Sequence, residues 1–293
     1  MSKAKVYFTR AITPESVVLL FEMLNKPLPG RVAVKVHSGE KGNQNYLGPE
    51  LMKLAVERVG GTVVETNTAY NGQRSDTAKH LQLLADHGWS GHFPVEVLDG
   101  EGPDLVLDVP GGLAIKKNYV GRGLASYDSM LVLSHFKGHP MGGFGGALKQ
   151  LAIGCASAGG KANIHTAGAT CQCEGVWKKN APQDKFLEAM ADAAWSVTKY
   201  FKGNLAYVNA VCNLSVDCDC CAVAEDPCIA DIGILVSTDP IAIDQACVDL
   251  VYACSDPGKP HLIERIESRN GIHTVEAAAE LGIGSREYEL ITV

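Results

Sequence analysis

The chain has 293 residues, 46% hydrophobic and 20% charged, enough for one large α/β domain or two modest ones with an ample core. Its formal charge of −7, with no basic run, argues against a nucleic-acid groove or an anionic-membrane surface, and no stretch approaches the roughly 20 apolar residues that span a bilayer. Strand-like sequence begins almost at Met1 and leaves no room for a signal peptide, so an intracellular protein is expected, in which Asn213-Leu214-Ser215 carries no glycan.

Short apolar runs alternate with amphipathic patterns from end to end. Lys5–Thr9 reads as a strand, and Pro14–Leu24 as a helix with proline in its first turn. Arg31–His37 alternates as a half-buried strand would; a turn-rich stretch, 38–48, leads to a helix over Pro49–Val59 closed by Gly60-Gly61. Thr62–Thr66 predicts a strand and Ser75–His87 a helix. Leu105–Val109 and Ser129–Ser134 predict buried strands, and a glycine-rich segment leads into a helix over Ala147–Cys155. Gln183–Phe201 is an amphipathic helix, followed by strand Leu205–Val211, loop 212–230, strand Asp231–Ser237 and helix Ile241–Val251. A helix at Val275–Leu281 and a strand at Tyr288–Val293 close the chain. This alternation predicts an α/β fold, a largely parallel sheet with helices on both faces. No linker or repeat divides it, so residues 1–293 read as one domain, with two lobes still compatible. Ligands in such folds sit at the carboxyl ends of strands, and the segments 37–45, 135–149 and 212–228 all follow strands.

Ten cysteines in a reducing compartment point to metal or redox chemistry where they cluster, and to small buried hydrophobes where they do not. Cys155, Cys212, Cys247 and Cys254 are of the second kind. Cys218-Asp219-Cys220-Cys221, with Cys228 beyond it, is the strongest cluster. Thiolates are soft ligands that select zinc, copper(I) or iron–sulfur clusters. Adjacent cysteines rarely all bind one ion, so Cys218 and Cys220 are the expected ligands, with Cys221 packed or in reserve. Cys171-Gln172-Cys173 has the same spacing in a polar loop, and the two pairs would supply four thiolates, enough for a [4Fe–4S] cluster or a zinc ion. Unligated thiols or a redox disulfide are the bland alternative, and the spacing fixes neither metal nor nuclearity.

Lys137 and His139 stand just after a buried strand, and Gly142, Gly143, Gly145 and Gly146 lead to Lys149 at the start of a helix. Glycines that admit close backbone approach and a helix N-terminus with free N–H groups make a natural anion cradle. Lys149 there opposes the helix dipole, which fits a cation that meets something negative. The stretch from Gly154 to Lys161 is no phosphate loop, because Gly160 stands where a lysine is required and a helix precedes it. His165 reads equally as a ligand, an acid/base group or a surface histidine. His37 and Glu40, again just after a strand, offer acid/base chemistry, or else belong to a polar turn around Gly39 and Gly42.

The stretches VKVHSGEKGNQNYLGPEL (34–51), SHFKGHPMGGFGGALKQLAIGCAS (134–157), VDCDCC (216–221), DIGILVSTDPIAIDQACVDLV (231–251) and GIGSREYEL (282–290) resemble, in order, the family known as domain of unknown function 362. The resemblance implies a cytoplasmic protein, typical of anaerobes, with an iron–sulfur centre. Many members insert a two-cluster ferredoxin; between Lys161 and Pro182 this chain has only a short loop with Cys171 and Cys173. More faintly, His139, the glycines and Lys149 are similar to nickel-pincer lactate racemases, whose lysine tethers the cofactor.

The expectation is therefore a thiolate-ligated metalloprotein, iron–sulfur first and zinc as the alternative. Cys171, Cys173, Cys218 and Cys220 would be the ligands, beside a pocket for a small organic anion formed by His37, Glu40, Lys137, His139 and Lys149. As an enzyme it would be an iron–sulfur oxidoreductase or use Lewis-acid chemistry; the rivals are a racemase-like enzyme tethering a cofactor on Lys149, and an electron carrier or scaffold with a redox partner protein.

Overall fold

A computed structural model describes residues 3–293. In chain order the first half holds β1 (Ala4–Thr9), α1 (Pro14–Met23), β2 (Val32–Lys35), α2 (Pro49–Val59), β3 (Thr62–Glu65), α3 (Thr77–Asp86), α4 (Trp89–His92), β4 (Val95–Val97), β5 (Leu105–Asp108), β6 (Lys117–Val120) and β7 (Ser129–His135). The second half holds β8 (Lys137–His139), β9 (Gly143–Gly145), α5 (Ala147–Cys155), α6 (Ala158–His165), α7 (Gln183–Tyr200), β10 (Leu205–Val211), β11 (Gly233–Ser237), α8 (Pro240–Ala253), α9 (Lys259–Ser268), α10 (His273–Glu280) and β12 (Tyr288–Thr292). No described helix is long and apolar enough to cross a membrane.

The main sheet has eight strands in the order β12-β1-β11-β10-β7-β2-β3-β4. All run parallel except β11, which is antiparallel to both β10 and β1. Strand alternation divides the interior into two cores. Met130, Val132, Leu205 and Tyr207 pack with α5, α7 and α8, whereas Leu131, Leu133, Ala206 and Val208 pack with α1 and α2. The α/β class with helices on both faces is thus as expected.

Two strand expectations change. β2 is buried along its whole length instead of half-buried, because both faces carry helices; its polar Lys35 is paired with Glu65 at 2.6 Å. Leu105–Asp108 does not join the main sheet: it pairs antiparallel with β6 and leaves Val106 45% exposed. The direction of β11 matters more. The loop between β10 and β11 carries the clustered cysteines and returns the chain across the carboxyl end of β10.

The order of strands also locates the site. From β2 the chain moves outward through β3 to β4, then crosses back to place β7 and β10 on the other side of β2. A crevice therefore opens outside the carboxyl ends of β2 and β7, where strand order reverses.

Candidate metal centre

The three segments that follow strands converge at this crevice. Cys221 N–H donates to the Cys218 carbonyl at 2.8 Å, closing a turn around Asp219 and Cys220. The segment after β2 holds that turn: Glu40 N–H donates to the Asp219 carbonyl at 2.7 Å, and Asn43 Nδ2 donates to the Cys221 carbonyl at 2.8 Å. Arg265 from α9 ties down the neighbouring Val216 carbonyl at 2.7 Å.

Asp219 anchors the turn from within. Its carboxylate meets His135 Nδ1 at 3.0 Å and Lys137 Nζ at 3.1 Å, and all three groups are buried. Burial pushes the Asp219 carboxyl up, but the His135 and Lys137 charges outweigh it and hold it well below the usual carboxylate range. Lys137 is accordingly spent on Asp219, with a second bond at 3.2 Å to the His135 carbonyl.

The side chains of Cys218 and Cys220 face the opposite task. Together with one ring nitrogen of His139, their sulfurs form a group whose atoms lie within 4.8 Å of one another and could hold a metal ion. Lys149 Nζ lies 3.9 Å from the Cys218 sulfur. The Cys220 thiol donates to Cys218, and Lys149 and Lys137 add positive charge, so Cys218 is held well below the usual thiol range despite its burial. Cys220, between Cys218 and Cys221, is pushed well above it by hydrogen bonding to those neighbours. The Cys221 thiol, expected to be packed or in reserve, contacts the pair through Cys220.

His139 is held by its backbone surroundings. Nδ1 accepts N–H groups from Met141 at 3.2 Å and Gly142 at 2.8 Å, so a neutral ring carries its proton on Nε2. Burial, and next Lys149, lower its pKa to about 4, which keeps the ring neutral. To ligate a metal through Nε2 as a neutral imidazole it would have to move that proton to Nδ1 and release the two backbone N–H groups, so the two thiolates are the primary donors and His139 the third.

A cavity of about 180 Å³ adjoins the group, with His37, His139, Lys149 and Cys220 in its wall. Lys161 closes one side and is held by three neutral acceptors, Thr66 Oγ1 at 2.6 Å and the carbonyls of Asn67 and Ala156 at 2.7 Å. His37 is neutral, its pKa lowered to about 4 by burial and by Arg74. Glu40 bonds Arg74 at 3.3 Å and the Tyr70 hydroxyl at 3.4 Å, which makes it the counter-ion of Arg74. His165 is buried, stacked on Phe186 with centroids 4.6 Å apart and edge-on to Trp177 at 5.0 Å.

Two groups of predicted residues lie elsewhere. Cys171 is exposed with its sulfur 3.9 Å from Asn163 Oδ1, Cys173 is half-buried, and neither joins Cys218 and Cys220. The short loop after α6 therefore does not complete a four-thiolate set. The glycine-rich turn does not form the expected cradle either, because protein already fills it. Ala147 and Leu148 N–H at the start of α5 donate to the buried Asp244 carboxylate at 2.8 and 2.9 Å. Gly145 and Gly143 pair with Lys137 and His139 in a small hairpin, and a Cβ on Gly143 would meet Gly271 Cα at 2.8 Å. Asp219, His135, Arg74, Tyr70 and Asp244 were not among the predicted site residues. Asp219 and His135 stand inside the motifs, where a side chain alternating away from its neighbours was the available signal.

Fold and site define a mostly parallel α/β protein with a Cys/His group suited to a metal ion at the switch point of its sheet. The chain belongs to the family described as "Domain of unknown function (DUF362)", which it matches over residues 32–249, from β2 into α8. Among curated proteins none matches. It is similar in structure to the lactate racemase apoprotein from Thermoanaerobacterium thermosaccharolyticum, with 13% identity, a TM-score of 0.43, and coverage of 84% of this chain and 56% of that one. It is likewise similar to a protein from Thermotoga maritima, with 13% identity, a TM-score of 0.44, and coverage of 91% and 58%. The chain thus spans less than two thirds of the length of either.

Proposed function

We propose that this chain is a metalloprotein in which Cys218 and Cys220 hold one thiolate-ligated centre, with His139 as third donor, beside a cavity for a small organic anion. The observation that supports it is the convergence of those three ligand atoms within 4.8 Å at the wall of the cavity, with Cys218 and His139 buried and Cys220 half-buried. Two thiolates and an imidazole match the donor set of catalytic zinc sites, which keep one position open. An iron–sulfur centre here would draw on Cys221 as its third thiolate, not on Cys171 and Cys173.

The bound centre supplies Lewis-acid or one-electron chemistry. The residues supply the rest. Lys149 binds the anion, His37 is a neutral base beside the cavity, and Asp219 keeps the cysteine turn in place. Anaerobic purification with metal and sulfide analysis and electron paramagnetic resonance tests this reading. A brown protein with iron and sulfide identifies a cluster, and a colourless one with zinc identifies a zinc site. Protein that takes up neither sinks the proposal.

One observation favours a second reading. Lys149 reaches the centre with no carboxylate within 4 Å among the described residues, as an amine tethering a cofactor would. Added mass on the Lys149 peptide of the isolated protein decides it.

A further inference from the structure

We infer that the cavity beside Cys220 is built for a small planar carboxylate, of the size and shape of benzoate, seated with its carboxylate on Lys149 and its flat face against an aromatic wall. This rests on the proposed reading of the cavity as the ligand site of a thiolate centre, and it narrows the ligand by charge, by size and by shape.

Charge comes first. Lys35 is neutralised by Glu65 at 2.6 Å and Arg74 by Glu40 at 3.3 Å. Lys149 and Lys161 have no carboxylate within 4 Å among the described residues, and a metal ion on the two thiolates removes the one anion near Lys149. Lys161 is buried and Lys149 half-buried, and charge drawn out of water without a partner is costly, so the cavity favours an anion. Lys161 donates all three of its N–H groups to protein acceptors and contributes only positive potential. Lys149 is the cation left to touch the ligand.

The kind of anion follows from what is missing. A phosphate presents three acceptor oxygens and is usually met by several backbone N–H groups at a glycine turn or helix start. Here those N–H groups belong to Asp244 and to the β8–β9 hairpin. A carboxylate on one lysine needs far fewer donors.

Size and shape follow from the walls. About 180 Å³ lies below the roughly 300–1,000 Å³ typical of drug-sized sites and holds about six waters' worth of volume. Three rings meet in series on one side, Tyr70 to Trp177 at 6.4 Å and Trp177 to His165 at 5.0 Å, and Ile153 and Met141 add further apolar wall. Such a wall stacks a flat group better than a bulky one.

Trp177, 41% exposed at this wall, reports occupancy by its fluorescence. Benzoate, benzamide, phenyl phosphate and cyclohexanecarboxylate are titrated into the full chain, both metal-loaded and metal-stripped, and metal content is measured on the same samples. Benzoate is expected to give saturable quenching that is lost in Trp177→Leu. The other three are expected to bind at least about tenfold more weakly, the scale of one charge-assisted bond. Lys149→Met is expected to lose benzoate binding by a similar factor while keeping its circular dichroism spectrum. Phenyl phosphate or cyclohexanecarboxylate binding as well as benzoate overturns the inference, and so does unchanged binding in Lys149→Met. Absence of metal together with benzoate binding sinks the proposed centre and leaves this inference standing; metal without benzoate binding does the reverse.

Discussion

The Asp219 carboxylate turns away from its cysteine neighbours and takes His135 Nδ1 at 3.0 Å on both of its oxygens, fastening the cysteine turn to the carboxyl end of β7. His135 in turn reaches the Cys212 carbonyl through Nε2 at 2.6 Å, so one imidazole clamps the loop at its start and its middle. Lys137 completes the buried trio. Asp219→Asn leaves that ammonium unpaired, which for buried pairs costs about 3–5 kcal/mol. Urea denaturation is expected to show a loss of this size, and metal uptake per folded chain is expected to fall with it. A loss under about 1 kcal/mol would mean that the trio does not hold the turn.

The two cysteine pairs separate cleanly in an experiment. Cys218→Ser and Cys220→Ser each remove a converging donor and are expected to abolish stable metal retention through gel filtration. Cys171→Ser and Cys173→Ser alter only the loop after α6, outside the converging group, and are expected to retain it fully. Cys221→Ser discriminates between centres: retention unchanged fits a single ion, whereas loss fits a cluster that uses a third thiolate. Metal loss in Cys171→Ser or Cys173→Ser would refute the assignment.

Much of this was readable in the chain. The bounds of α5 and β10 are as expected because long apolar runs with clear ends fix an element's length, and the shared placement after strands brought His37, His139, Lys149 and the cysteine turn together. What stayed hidden depends on long-range partners. Nothing local reveals that β11 runs antiparallel, since strand patterns carry no direction. Glycines that look ready for a phosphate look the same when Asp244, ninety-seven residues away, occupies the N–H groups. Equal C-x-C spacing likewise gave Cys171 and Cys218 equal standing, and only the fold separates an exposed loop from a buried turn.

Stability is expected to fall in acid. Burial lowers the pKa of His80 and of His165 from 6.5 to about 3, so between those values the unfolded chain binds more protons than the native one. Their contribution is complete above pH 6.5 and is lost as pH falls towards 3. Asp244 acts in the opposite sense. Burial raises it from 3.8 to about 6, so its contribution declines as pH rises through that window. His37 and His139, lowered to about 4, act in the same sense as His80 and His165, so the histidines outweigh that carboxyl, and the urea midpoint should be lower at mildly acidic than at neutral pH. His80→Gln is expected to flatten the dependence and Asp244→Asn to steepen it. A midpoint that rises on acidification would contradict the assignment.

The glycine turn offers a graded series that separates packing from ligand binding. At Gly143, φ is +79° and an added Cβ would lie 2.8 Å from Gly271 Cα and 3.0 Å from the Ile266 carbonyl. Backbone cannot yield there, so Gly143→Ala is expected to destabilise by several kcal/mol, of order 3, or to prevent soluble expression. At Gly146 the Cβ would lie 2.3 Å from Asp244 Oδ1, displacing the carboxylate that caps α5; a loss of about 1–2 kcal/mol is expected. At Gly145 the nearest obstacle is Lys149 Cδ at 3.2 Å, part of a flexible chain that can swing aside. Gly145→Ala should therefore fold with near-normal stability yet misplace the Lys149 amine, weakening anion binding while leaving metal content unchanged. Thermal unfolding ranks the three variants, and benzoate titration of Gly145→Ala checks the last step. If all three fold normally and lose anion binding alike, the turn contacts the ligand itself, and its occupation by Asp244 and Gly271 is not what the glycines are for.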